Sequence, residues 1–202
     1  ENDNLRFDGM DDSLREQKAG TLEINGTAYP EADTMTWPGA GALTYGETLR
    51  ESVLTGGDQQ GKGTYAWKTP EAIPTVENTG CTVVFTPDDP NYAPVEHTVS
   101  VAVAPRELTI AGVTAQNRVY DPDSTAVTLT GGSLDESAIV IRDGVPDDAA
   151  LDSTRARGSI AVPDAGTALP VTVSGYALTG ADAVNYTLAQ PGYVTVDIAR
   201  AA

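Results

Sequence analysis

One cysteine and one histidine in 202 residues exclude a good deal of chemistry. A lone thiol, Cys81, cannot build a disulfide framework, so the fold rests on packing and hydrogen bonding alone. Cys81 opens the apolar run 81–85, where cysteine acts as a small core hydrophobe in a strand. The lone imidazole, His97, leaves little room for nucleophilic catalysis, which needs nucleophile, base and orienting group together. It precedes Val99, Val101 and Val103 at alternate positions, so it is read as a partly buried structural residue.

Positive charge is equally scarce. Twelve Lys and Arg face 29 Asp and Glu, giving a net charge of −17 and an isoelectric point near 4.1. A field of that sign repels nucleic acid and anionic membrane surfaces, so neither is expected as a partner. No apolar run is long enough to span a bilayer. The polar opening at Glu1 has no leader pattern, and the expectation is a fragment of a longer protein.

What the chain has in quantity is glycine and proline, 20 and 13 residues, with 40% hydrophobic residues. Frequent breakers between short alternating runs predict an all-β fold of antiparallel sandwich modules. Tyr45 precedes Thr55-Gly56-Gly57 by ten positions, and Tyr120 precedes Thr130-Gly131-Gly132 by the same ten. Asn91-Tyr92 and Asn185-Tyr186 close the two halves, 46 positions after Tyr45 and 65 after Tyr120, so the second unit holds about 19 extra residues. Self-similarity of this kind argues for tandem modules, here 34–105 and 106–202, behind a short segment 1–33 that would end a preceding module.

Within 1–33, residues 10–18 suggest a short helix closed by Gly20, and 21–24 a strand entering an Asn25-Gly26 hairpin turn. In the first module, 43–46, 52–55, 63–68, 82–86 and one long closing strand 95–103 are expected, with Tyr65 and Trp67 sharing a core face. Pro105-Arg106 is too short for a flexible linker, which predicts modules stacked end to end as a rod. The second module offers strands at 108–110, 119–121, 127–129, 158–162, 169–174, 176–178 and 193–198. Its insertion, 138–142 and 147–157, reads as a loop or one extra strand. The two Asn-Tyr pairs suggest tyrosine corners, with a buried ring and a hydroxyl bonded back to the main chain.

Acidic pairs are numerous: Asp88-Asp89, Asp121 with Asp123, and Asp147-Asp148. Two carboxylates are the requirement of a glycosidase, but abundance removes specificity, and all three pairs read as solvated turns. Calcium at Asp121/Asp123 or Asp88/Asp89 is the chemical alternative, without EF-hand spacing to support it. No catalytic, cofactor-binding or metal-ligating residue is assigned. Trp37, Tyr176 and Tyr193 would carry a binding role if one exists.

Several segments resemble known surface repeats. Leu43-Thr44-Tyr45-Gly46, Tyr65 with Trp67, and Asn91-Tyr92 resemble the MBG-type and bacterial Ig-like repeats of Gram-positive surface proteins. Arg118-Val119-Tyr120-Asp121, Leu178-Thr179-Gly180-Ala181-Asp182 and Asn185-Tyr186-Thr187-Leu188 resemble the YDG repeat of haemagglutinin-like adhesins, with Pro122 where that family's name requires glycine. The resemblance implies a secreted, extracellular stalk or adhesin of a bacterial cell surface. Its partners would be neighbouring repeats of the same chain, with host glycan or matrix protein as the alternative. The fragment is expected to be a monomer, not an enzyme, and without a cofactor.

Overall fold

The computed structural model describes residues 21–24, 27–30, 35–58 and 62–202. The expected helix at 10–18, Gly20 and the Asn25-Gly26 turn lie outside them, although the strands Thr21–Ile24 and Thr27–Pro30 on either side of that turn do pair antiparallel.

The chain is all-β and sandwich-like, with 43% of residues in strands and 5% in short helical turns. In the first module the expected central ribbon forms from Gly63–Trp67, Cys81–Pro87 and Val95–Val99, paired antiparallel in that order. Alternation places Val83 and Phe85 inward, both almost fully buried. Leu43, Leu49, Trp67, Val99 and Val101 complete the core with Val83, and Cys81 packs half-buried at its margin. Trp67 sits in this core with its indole N–H donated to the Ser52 carbonyl at 2.8 Å. Tyr65 is only half-buried, at the end where Trp37 and Phe85 meet it.

The closing strand is not continuous. Val95–Val99 pairs with Cys81–Pro87, whereas Val103–Ala104 has crossed over to lie parallel to Leu43–Thr44. A strict period of two does not register that change of partner, because the inward positions Val99 and Val101 stay buried on both sides of the break. His97 shares the Val83 register, yet it lies on the outer strand of the ribbon, and there it is exposed rather than partly buried.

The second module repeats the first in register. Gly39–Ala40 pairs with Leu54–Thr55 as Thr114–Ala115 pairs with Leu129–Thr130. Leu43–Thr44 runs parallel to Val103–Ala104 as Arg118–Val119 runs parallel to Thr195–Ala199. A third parallel pair joins Arg106–Ala111 to Tyr186–Ala189. Purely antiparallel sheets were expected, and the parallel pairs arise because each module's opening segment returns beside its last, a connection no tight turn can make. The core gathers Ile110, Val113, Val127, Ile160, Val173, Tyr176, Val196 and Ile198.

The insertion is more ordered than its sequence suggests. Ile141–Arg142 and Val145–Pro146 form a hairpin across Asp143-Gly144, both at positive φ of 52° and 80°, as a two-residue turn demands. Ala150–Asp152 then pairs with Ala177–Thr179 as the extra strand.

Candidate functional site at the joint between the modules

Among the described residues three cores form, one more than two separate modules would have. The third is shared: Tyr45 from the first module and Leu108, Val140 and Tyr186 from the second are buried together, with Ile73 and Val103 packed against them. Tyr45 and Leu108 have no exposed surface. The rings of Tyr45 and Tyr186 meet edge to face, centroids 5.3 Å apart, an arrangement that sets a ring edge against a π face.

At the centre lies Asp147, whose side chain is 1% exposed. Its Oδ2 accepts the hydroxyls of Tyr45 at 2.5 Å and Tyr186 at 2.7 Å, and its Oδ1 accepts the Nε–H of Arg142 at 3.0 Å. The other arm of Arg142 donates to Asp182 at 2.5 Å, and Asp182 also receives the Asp148 backbone N–H at 2.9 Å. The Tyr186 hydroxyl in turn accepts the Val140 N–H at 2.9 Å. A second strut crosses the joint where Asn185, itself buried, takes the Val76 N–H on its Oδ1 at 3.0 Å.

Burial pushes the Asp147 carboxyl up, but the hydroxyls of Tyr45 and Tyr186 and the Arg142 guanidinium outweigh it and hold the group below its ordinary value. The two phenols move the other way. Burial, then the hydrogen bond and charge of Asp147, raise Tyr45 well above the ordinary phenol range. Tyr186 is raised to about 12, chiefly by burial, with the Val140 amide opposing and Asp147 adding. Asp147 therefore stays ionised and both phenols stay protonated across the neutral range. Both hydroxyls and the Arg142 Nε–H are spent on the carboxylate, so the arrangement acts as an anchor between modules.

The insertion creates this anchor. The Asp143-Gly144 hairpin pairs Arg142 with Val145 and so brings Arg142 and Asp147 to one face, with the Asp147 N–H bonded to the Val140 carbonyl at 2.9 Å. Across the joint, Gly46 has φ of +99°, and a Cβ there would stand 2.9 Å from Val140 Cγ2 and 3.0 Å from an Arg106 guanidinium nitrogen. The Tyr45-Gly46 pair thus combines an anchor hydroxyl with a backbone close enough to seat Val140.

The two Asn-Tyr pairs, alike in sequence, part company. Asn185 and Tyr186 are buried in the joint, while Asn91 is exposed and Tyr92 half-buried at a surface turn. Tyr186 matches a tyrosine corner in having its hydroxyl on a main-chain N–H, although that N–H lies 46 residues upstream. Asp147 overturns its reading as a solvated turn, because the hairpin before it folds the carboxylate under the first module. The other acidic pairs close turns: Asp121 Oδ1 takes the Asp123 N–H at 3.0 Å, and Asp89 Oδ1 takes the Asn91 N–H at 3.0 Å. Among the described residues no group of three or more His, Cys, Asp or Glu is placed to hold a metal.

The candidate binding aromatics are scattered. Tyr176 is core, its ring against Gly132. Trp37 is half-buried, stacked on His97 at 5.0 Å. Tyr193 is 56% exposed, but its hydroxyl is bonded to the Ile110 carbonyl and the Val113 N–H, both at 3.2 Å. Burial pushes the Cys81 thiol up, away from the reactive thiolate.

No curated protein and no solved structure matches this chain. Residues 104–193 match the family model of the YDG domain. That stretch contains Leu108, Val140, Arg142, Asp147, Asp182, Asn185 and Tyr186, which the second module brings to the joint, and makes this module similar to the YDG domain family.

Proposed function

We propose that the chain is a non-catalytic structural fragment of a secreted bacterial cell-surface protein, in which stacked β modules act as a stalk. The carrying observation is the joint: a buried carboxylate bonded to a tyrosine from each module across a connection of one residue, Pro105. Buried ionic networks contribute little net stability but set one arrangement over others, which is what a spacer requires of its joints. On this reading residues 34–105 are an MBG-type, bacterial Ig-like module, the fragment is an extracellular monomer, and its partners are its neighbouring repeats.

An adhesin module that binds glycan or host protein is the competing class. It needs a contiguous exposed aromatic patch, and Tyr176 in the core and Tyr193 tied to the main chain do not supply one. The purified chain should stay silent on an array of glycans and matrix proteins, with calcium or with chelator, while small-angle scattering fits one fixed arrangement of the modules. Saturable binding to one ligand overturns the stalk reading, and scattering that requires many inter-module angles overturns the fixed joint.

A further inference from the structure

Tyr120 occupies in the second module the place of Tyr45 in the first. Each follows directly on the opening strand that runs parallel to its module's last strand. Each donates its backbone N–H to the closing carbonyl of that last strand, Tyr45 to Ala104 and Tyr120 to Ala199, both at 2.8 Å. The Gly41 N–H to Val53 carbonyl bond recurs as Gln116 to Thr128, both at 2.9 Å. Beyond these bonds two things differ: the turn, closed by Glu47 N–H on the Thr44 carbonyl in the first module and by Ser124 N–H on the Asp121 carbonyl in the second, and the cover. Tyr45 is sealed by the module that follows it, whereas Tyr120 is half-buried beside an open concavity of about 390 Å³, lined also by Asp164, Ala165, Arg200 and Ala201.

We propose that this end of the second module is a docking face for a further YDG-type module, connected through Arg200 as the present one is connected through Pro105. The inference rests on reading the Tyr45 joint as a lock between neighbouring modules. The occupant is defined by chemistry: a hairpin bearing an Asp147-type carboxylate for the Tyr120 hydroxyl, with an Arg142-type guanidinium behind it. Arg200 and Asp164 put one charge of each sign at this face, to which the guanidinium and carboxylate of such a hairpin are complementary. Asp121, with a side chain and a backbone outside the positive-φ region, stands where the first module has Gly46 at φ +99°. The incoming module must therefore hold alanine or glycine in the place of Val140.

The test extends the full chain after Arg200 with a second copy of residues 106–202, carrying Val140→Ala for fit and Tyr120→Phe so that only the original Tyr120 is read. Nitration by tetranitromethane, mapped by peptide mass, reports each tyrosine, with Tyr193 as the exposed standard and Tyr45 as the covered one. Tyr120 should react at least about tenfold more slowly than in the unextended chain, the factor given by about 1.4 kcal/mol of closure. Protection should vanish when the added copy keeps Val140 or carries Asp147→Ala. Equal Tyr120 rates with and without the extension, while Tyr45 stays protected, overturn this docking face alone. Rapid nitration of Tyr45 itself overturns the locked joint and the stalk reading with it.

Discussion

The hydroxyls of Tyr45 and Tyr186, one from each module, end on the same oxygen of Asp147, at 2.5 and 2.7 Å. Neither phenol can leave without exposing a charge that burial has cut off from water, so the modules are held as one unit.

Removing either hydroxyl should cost about 1–2 kcal/mol, with Tyr186→Phe the worse because the Val140 N–H also loses its acceptor. Tyr186→Ala, which also opens a cavity, should cost about 3–5 kcal/mol. Since both phenols serve one carboxylate, the double Phe variant should depart from additivity by about 0.5 kcal/mol or more, as read from urea unfolding. Simple additivity would mean that the two bonds act independently.

The joint should loosen at both ends of the pH scale. Asp147 has a lowered pKa in the folded state, so its contribution is complete above its unfolded value of about 3.9 and fades as the pH falls below it. Tyr186 is raised to about 12, so its contribution is complete below about pH 10 and fades as the pH climbs through 12. Tyr45 is raised in the same sense. Thermal unfolding across pH should show both losses, and Asp147→Asn should flatten the acid limb.

Gly46→Ala and Gly144→Ala both place a side chain at positive φ, 99° and 80°. Only at Gly46 does the new Cβ meet a neighbour, Val140 Cγ2 at 2.9 Å, while at Gly144 nothing lies within 4 Å. Gly144→Ala should cost about 1 kcal/mol from backbone strain, and Gly46→Ala should exceed it by about 1–3 kcal/mol through overpacking. Calorimetry of both variants isolates the contact across the joint, and equal losses would show that Val140 yields freely.

Arginines on the two modules should behave unlike each other. Arg50 pairs with Glu71 where both side chains are 68% exposed, and Arg50→Ala should change stability by less than about 1 kcal/mol. Arg142→Ala strips a partner from Asp147 and from Asp182 and should cost about 3 kcal/mol, as removal of one member of a buried pair does. High salt should leave the Arg142 loss nearly unchanged.

Much of this architecture was legible in the residues themselves. The alternation of 81–87 and the Gly-rich turns dictated strands, because a period of two and positive-φ glycines admit few other structures. The ten-residue spacing from Tyr45 and Tyr120 to their Gly-Gly pairs pointed to a repeat, and the strands that precede those pairs share one register, Gly39↔Thr55 and Thr114↔Thr130. Asn185-Tyr186 announced a buried tyrosine with a main-chain partner. Only the tertiary structure decided that Asn91-Tyr92, the same pair, would lie at the surface, since burial depends on what packs above a residue. It also decided that the 95–103 run would change sheets, a choice of partner to which side-chain periodicity is blind. Above all, it decided the fate of Asp147. In sequence that residue is one acid among 29, and only the hairpin at Asp143-Gly144, closing under a tyrosine 102 positions away, makes it the anchor of the joint.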